Sequence, residues 1–150
     1  PPCLPLLWHR RCPQSRLRAV SDVETRCVTL TMAPSQVTEL MGRRLGSRSA
    51  DGGESVRWHY PKLLVTFSRR LNFVTAIRTS YPGAHTANGI AVGARVGDLA
   101  RRLDPETTFC RTSGVTQTCS DLALFTQTQY QAVRGRVTWI QINLSTDLFG

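Results

Sequence analysis

Three successive runs of this sequence alternate apolar and polar residues, and that alternation constrains the fold more than any other feature. Val56, Trp58 and Tyr60 alternate with Arg57 and His59. After Pro61-Lys62, Leu63, Val65 and Phe67 share a second face, and after Ser68-Arg69-Arg70, Phe73, Thr75 and Ile77 share a third. A period of two places every second side chain on one side of an extended chain, and turns this short join antiparallel neighbours. The stretch reads as an antiparallel meander.

A helix precedes it. Pro34 suits a first helical turn, where its missing N–H breaks no bond. Val37, Leu40 and Met41 stand at i, i+3 and i+4, and Gly42 can end the helix in a left-handed conformation, so a short amphipathic helix spans 34–41. Gly46 to Gly53, with Ser47, Ser49, Asp51 and Gly52, reads as a loop by turn chemistry. Residues 81–89 are rich in breakers and read as a linker.

The same grammar then restarts. Residues 90–103 lie over residues 28–41 at an offset of 62, so that Val28 meets Ile90, Leu30 meets Val92, Val37 meets Leu99 and Met41 meets Leu103. Strands follow at Leu122 to Tyr130 and Val133 to Leu144, the second broken early by Arg134-Gly135-Arg136, and Val137-Thr138-Trp139-Ile140 matches Val74-Thr75-Ala76-Ile77 at an offset of 63. Near-constant spacing reads as internal duplication. The expected fold is α+β: two tandem repeats, each a short helix followed by an antiparallel meander, sharing one core. Residues 28–80 form repeat 1 (helix plus three strands), 81–89 the linker and 90–150 repeat 2. A unit of such size is marginal alone, hence the shared core. Ile140, Ile142 and Leu144 share the face of the last strand expected to be buried.

Residues 1–27 show neither period. They carry Pro1, Pro2, Pro5 and Pro13, and the apolar patch Leu4 to Trp8 is too short for a signal-peptide core, so they read as a poorly ordered tail or a fragment of an export region. No intact signal peptide is present, and no run approaches the roughly 18 apolar residues of a membrane-crossing helix.

A net charge of +9 raises nucleic acid or an anionic surface as partner. Of the 19 basic residues, however, only Lys62 is lysine, a ratio that GC-rich coding sequence produces whatever the function. The basic pairs Arg10-Arg11, Arg43-Arg44, Arg69-Arg70 and Arg101-Arg102 are scattered rather than gathered on one helix. Nucleic acid is therefore the second reading.

Cys110 and Cys119 flank the polar loop Arg111 to Thr118, with Gly114 at its turn. If the flanking segments are antiparallel neighbours, opposed residues have Cα atoms about 4.5 or 5.5 Å apart, within disulfide reach. Free buried thiols and a metal site are the alternatives; eight intervening residues is not a zinc-ribbon spacing. Cys3, Cys12 and Cys27 lie in the tail, and five cysteines leave at least one unpaired within the chain. His9, His59 and His85 have no carboxylate at local spacing, and no Gly-x-Ser-x-Gly elbow, phosphate-cradling loop or His-Glu-x-x-His occurs. Gly93-x-x-x-Gly97 reads as a tight turn into the second helix; Asp98, Asp104 and Glu106 cluster around that helix, with Asp98 near its start explained by the helix dipole. No enzyme, cofactor, metal site or small-molecule substrate is inferred.

The unit running from Leu30-Thr31-Met32 through Val37 to Gly42, and from Val92-Gly93-Ala94 through Leu99 to Leu103, resembles the small BamE/SmpA/OmlA lipoprotein domain. It is also similar to the tandem-repeat proteinaceous inhibitors of β-lactamase. Thr31 stands where that pattern has Gly, Ala94 where it has Met and Asp104 where it ends in Gly, and no lipobox leads to a lipidatable cysteine. The resemblance implies an exported or envelope-associated, non-catalytic domain that binds another protein. A basic nucleic-acid or anionic-surface binder is the alternative expectation.

Overall fold

A computed structural model of the chain describes residues 28–82, 84–86 and 89–145. The tail 1–27, with Cys3, Cys12, Cys27 and His9, lies outside the described residues. Among the described residues there are eight strands: β1 Gly46–Ala50, β2 Ser55–Tyr60, β3 Leu63–Ser68, β4 Phe73–Thr79, β5 Thr108–Ser113, β6 Thr116–Leu122, β7 Thr126–Val133 and β8 Arg136–Leu144. Two short helices, α1 Pro34–Met41 and α2 Val96–Arg102, precede β1 and β5.

All eight strands belong to one sheet, ordered β1-β2-β3-β4-β8-β7-β6-β5, and every neighbouring pair is antiparallel. This corrects the expected architecture. The chain is mostly a single eight-stranded antiparallel sheet with two small helices, not two repeats of helix plus meander. The seam explains the difference: β4 pairs with β8 through Ala76↔Asn143, Ile77↔Ile142, Arg78↔Gln141 and Thr79↔Ile140, so the hydrogen-bond ladder runs on without a boundary. Two local expectations change as well. Gly46 to Ala50, read as loop from its glycine and serines, is drawn into a strand by pairing with β2, Ser47 opposite Trp58 and Ser49 opposite Val56. Leu122 ends β6 rather than opening a strand, and residues 123–125 form the turn into β7.

The alternation of β2 and β3 sets the register. Trp58 opposes Val65, and Val65 opposes Ile77. Along that side Leu63, Val65, Phe67, Val74 and Ile77 are buried, continuing into Ile140 and Ile142 of β8, Tyr130 of β7 and Cys119 of β6. Val37 of α1 and Leu99 of α2 join the same apolar cluster, so the helices cover this one face. Each helix is short and ends where its sequence says. Pro34 opens α1, the Gln36 side chain accepts the Ala33 N–H at 2.9 Å, and Gly42, at φ +74°, donates to Thr38 O to close it. In α2, Asp98 lies in the first turn and Arg101 and Arg102 in the last, each sign matched to the helix dipole.

Val28, Leu30 and Met32 are also buried in the cluster. Their segment is held by reciprocal bonds at Val74: Thr31 N–H donates to Val74 O at 2.7 Å, and Val74 N–H donates to Met32 O at 2.9 Å. On β8, Val137 N–H donates to Ala94 O and its carbonyl accepts Gly93 N–H. Both valines lie beside register shifts in the sheet, at Thr66/Phe67 and Gln131/Ala132. Bulges free backbone groups from the ladder, and here those groups anchor the segments that enter the helices.

Candidate interaction face

The helices leave the other side of the sheet open. Register places a row of residues across it, from His59 through Leu64, Arg78 and Gln141 to Gln129, Ser120 and Phe109, each opposite the next. A second row runs from Arg48 and Arg57 through Thr66 and Ala76 to Asn143, Gln127 and Leu122. Trp139, opposite Gln131, and Arg111, opposite Thr118, lie on the same side.

At the middle of this face the polar side chains hold one another. Arg78 Nε donates to Gln141 Oε1 at 2.7 Å, and its guanidinium lies 4.0 Å from the centre of the Trp139 ring. Gln141 Nε2 donates to Asn143 Oδ1 at 2.6 Å and to Gln129 Oε1 at 3.4 Å, and Asn143 Nδ2 donates to that same Gln129 oxygen at 3.1 Å. Beside it Thr138 Oγ1 donates to Gln131 Oε1 at 3.0 Å. The rotamers of three strands are thus coupled, because Gln141 and Asn143 each use both amide ends on neighbours and Gln129 Oε1 accepts from both. Burial lowers the Arg78 pKa, and the like charge of Arg57 lowers it further.

A groove of about 700 Å3 crosses the face between β2 and β8, with Arg57, Thr66, Thr75, Gln141 and Asn143 in its floor and walls and Asp51 and Glu54 at one end. A smaller groove of about 390 Å3 lies over β5 to β7, between Phe109, Leu122 and Arg111. On the helix side, an apolar cleft of about 310 Å3 opens between α2 and the β5–β6 pair, lined by Leu99, Leu103, Pro105, Cys110 and Cys119.

Cys110 and Cys119 oppose each other in the β5–β6 register and are joined by a disulfide, with Cα atoms 4.0 Å apart. Gly114, at φ +61°, makes the turn between them. Cys119 is buried, while Cys110, on the outer strand, is exposed. His59 is on the open face with its Nε2 buried and unpartnered; His85 bridges Ala91 in the segment before α2. Among the described residues no group of three or more His, Cys, Asp or Glu comes together. No described helix is long and apolar enough to cross a membrane.

The Cys110–Cys119 disulfide is legible in the sequence, and the amide network is not. The network's one local signal is Thr126-Gln127-Thr128-Gln129-Tyr130-Gln131, in which glutamine takes every second position and so one face of a strand. The partners Arg78, Gln141 and Asn143 come from β4 and β8, far along the chain. No family model matches this chain, and neither a curated protein nor a solved structure matches it.

Proposed function

We propose that this chain is a non-catalytic protein-interaction domain of an extracytoplasmic compartment, binding its partner on the open face of the sheet. The observation that carries this reading is the coupled network of Arg78, Trp139, Gln141, Gln129 and Asn143 at the centre of that face. Side chains already held in one geometry lose little freedom on binding, which lowers the ordering cost that usually opposes association. Arginine and aromatic residues are also the types most enriched where interfaces concentrate their energy. The Cys110–Cys119 disulfide supports an oxidising compartment, where such bonds persist. The resemblance to envelope lipoprotein domains and β-lactamase inhibitors points the same way.

Site-specific photo-crosslinking tests the reading. A photoreactive residue at Thr66, on the open face, is expected to capture a protein from an envelope or culture extract of the producing cell, whereas one at Glu39 on α1 does not. The capture should be abolished by Arg78→Ala with Gln141→Ala. Equal capture from both positions, or none, overturns the assignment of the face. Tight binding to random-sequence DNA that falls steeply with log salt would instead favour the anionic-partner reading.

A further inference from the structure

The sheet has two outer strands, and they are built differently. β1 is Gly-Ser-Arg-Ser-Ala, short and without a large apolar side chain. β5 is Thr-Phe-Cys-Arg-Thr-Ser, and its Phe109 is 74% exposed beside Leu122, 51% exposed on β6. A sheet edge with a projecting aromatic is a template for another strand, which proteins ordinarily blunt.

The backbone of β5 shows which groups have no strand partner among the described residues. Leu122 N–H donates to Thr107 O at 3.1 Å, and the Cys110–Cys119 pair is a narrow one, with Cα atoms 4.0 Å apart. Both observations give the same parity. Thr107, Phe109, Arg111 and Ser113 direct their backbone groups to β6, and Thr108, Cys110 and Thr112 direct theirs outward. An added antiparallel strand must therefore pair Thr108, Cys110 and Thr112 as hydrogen-bonded positions.

For a second copy of β5, three two-fold registers form more than one hydrogen-bonded pair. One centred on Arg111 sets two like charges face to face in the closest pair type, which is unfavourable. One centred on Phe109 overlaps only Thr108 to Cys110. The register centred on Cys110 overlaps Thr108 to Thr112, forms about six backbone hydrogen bonds, and places Phe109 opposite the partner's Arg111 twice over. Those pairs fall at the non-hydrogen-bonded positions, where side chains approach most closely, and a guanidinium over an aromatic ring is attractive. Phe109 and Arg111 already border the same groove of about 390 Å3, into which the facing side chain can settle.

We propose that β5 is a dimerisation edge: two copies of this chain join β5 to β5, antiparallel about Cys110, with Phe109 of each against Arg111 of the other. The contact is isologous and closes on itself, so it forms a dimer and no fibre. It leaves the centre of the open face clear and does not depend on the binding role assigned to that face.

Sedimentation equilibrium of the oxidised full chain tests this. A concentration-dependent monomer–dimer equilibrium is expected, and amide exchange should show Cys110 and Thr112 slowed in the dimer. Thr112→Pro removes an outward N–H that β6 does not use, a change tolerated at sheet edges, and should leave a folded monomer. Arg111→Ala should raise the dissociation constant about tenfold through loss of its two symmetric contacts. If circular dichroism shows Thr112→Pro to be unfolded, Phe109→Ser, which keeps the backbone and removes the ring, is read in its place and should weaken the dimer. A chain that stays monomeric up to about 1 mM overturns the proposal, whether or not a strand of another protein adds there. A dimer that persists unchanged in the folded edge variants overturns it as well.

Discussion

Thr31 donates its N–H to Val74 O across 2.7 Å while its own backbone stands at φ +69°. A β-branched residue in the left-handed region costs of order 1–3 kcal/mol, and the surrounding bonds hold it there. Thr31→Gly keeps the N–H and removes the Cβ. Net of the greater freedom of glycine in the unfolded chain, it should stabilise by about 0.5–1 kcal/mol, read as a higher urea midpoint at unchanged slope. Thr31→Pro, which removes the donor and forces φ negative, should destabilise.

The β4–β8 seam carries the two sides of the core together. Ile77 and Ile142 are both buried and directly opposite. Truncating either to alanine should cost about 2–5 kcal/mol. Because the two are direct cross-strand neighbours, the double variant should depart from additivity by at least about 0.5 kcal/mol in a double-mutant cycle. Additive losses would show that the seam is not a shared packing unit.

Removing the disulfide by Cys110→Ala with Cys119→Ala should lower stability by about 2.5–3 kcal/mol on the chain-entropy account of a loop this short. Wild type unfolded in the presence of reductant should fall to a similar value. Equal stability with and without reductant would contradict this.

Alkaline pH should unfold the chain partly through Tyr60. Burial raises the pKa of its hydroxyl above the ordinary value of 10.0, and the nearby Arg44 guanidinium offsets this in part. The folded state therefore binds the proton more tightly than the unfolded state. The contribution is fully present below the unfolded pKa and is lost as pH rises through the folded one. Tyr60→Phe should lessen the fall in stability above about pH 10 relative to wild type, measured by urea titration at a series of pH values. An identical pH profile in the two proteins would exclude Tyr60 as a source.

Local signals were legible and long-range ones were not. Pro34 and the stripe of Val37, Leu40 and Met41 mark α1, and the alternation from Val56 to Phe67 marks β2 and β3, because each depends on neighbours within a few residues. β1 escaped notice because Gly46, Ser47 and Ser49 favour turns, and only pairing with β2 makes them a strand. The single sheet escaped notice because the β4–β8 ladder joins Ile77 to Ile142 and Thr79 to Ile140, a choice no local period records. The open-face network has the same origin: Arg78 meets Gln141, and Gln141 meets Gln129, only through strand register.

That seam also bears on how the chain is made. Its paired residues lie more than sixty positions apart, so β4 has no second strand beside it until β8 has left the ribosome. During that interval Ile77 and Thr79, buried in the finished sheet, sit on an unpaired edge with its hydrogen bonds free. Closure of long-range strand pairs is slow, and waiting edges of this kind invite wrong partners. Pairing with β8 is therefore the step that closes this edge in the nascent chain.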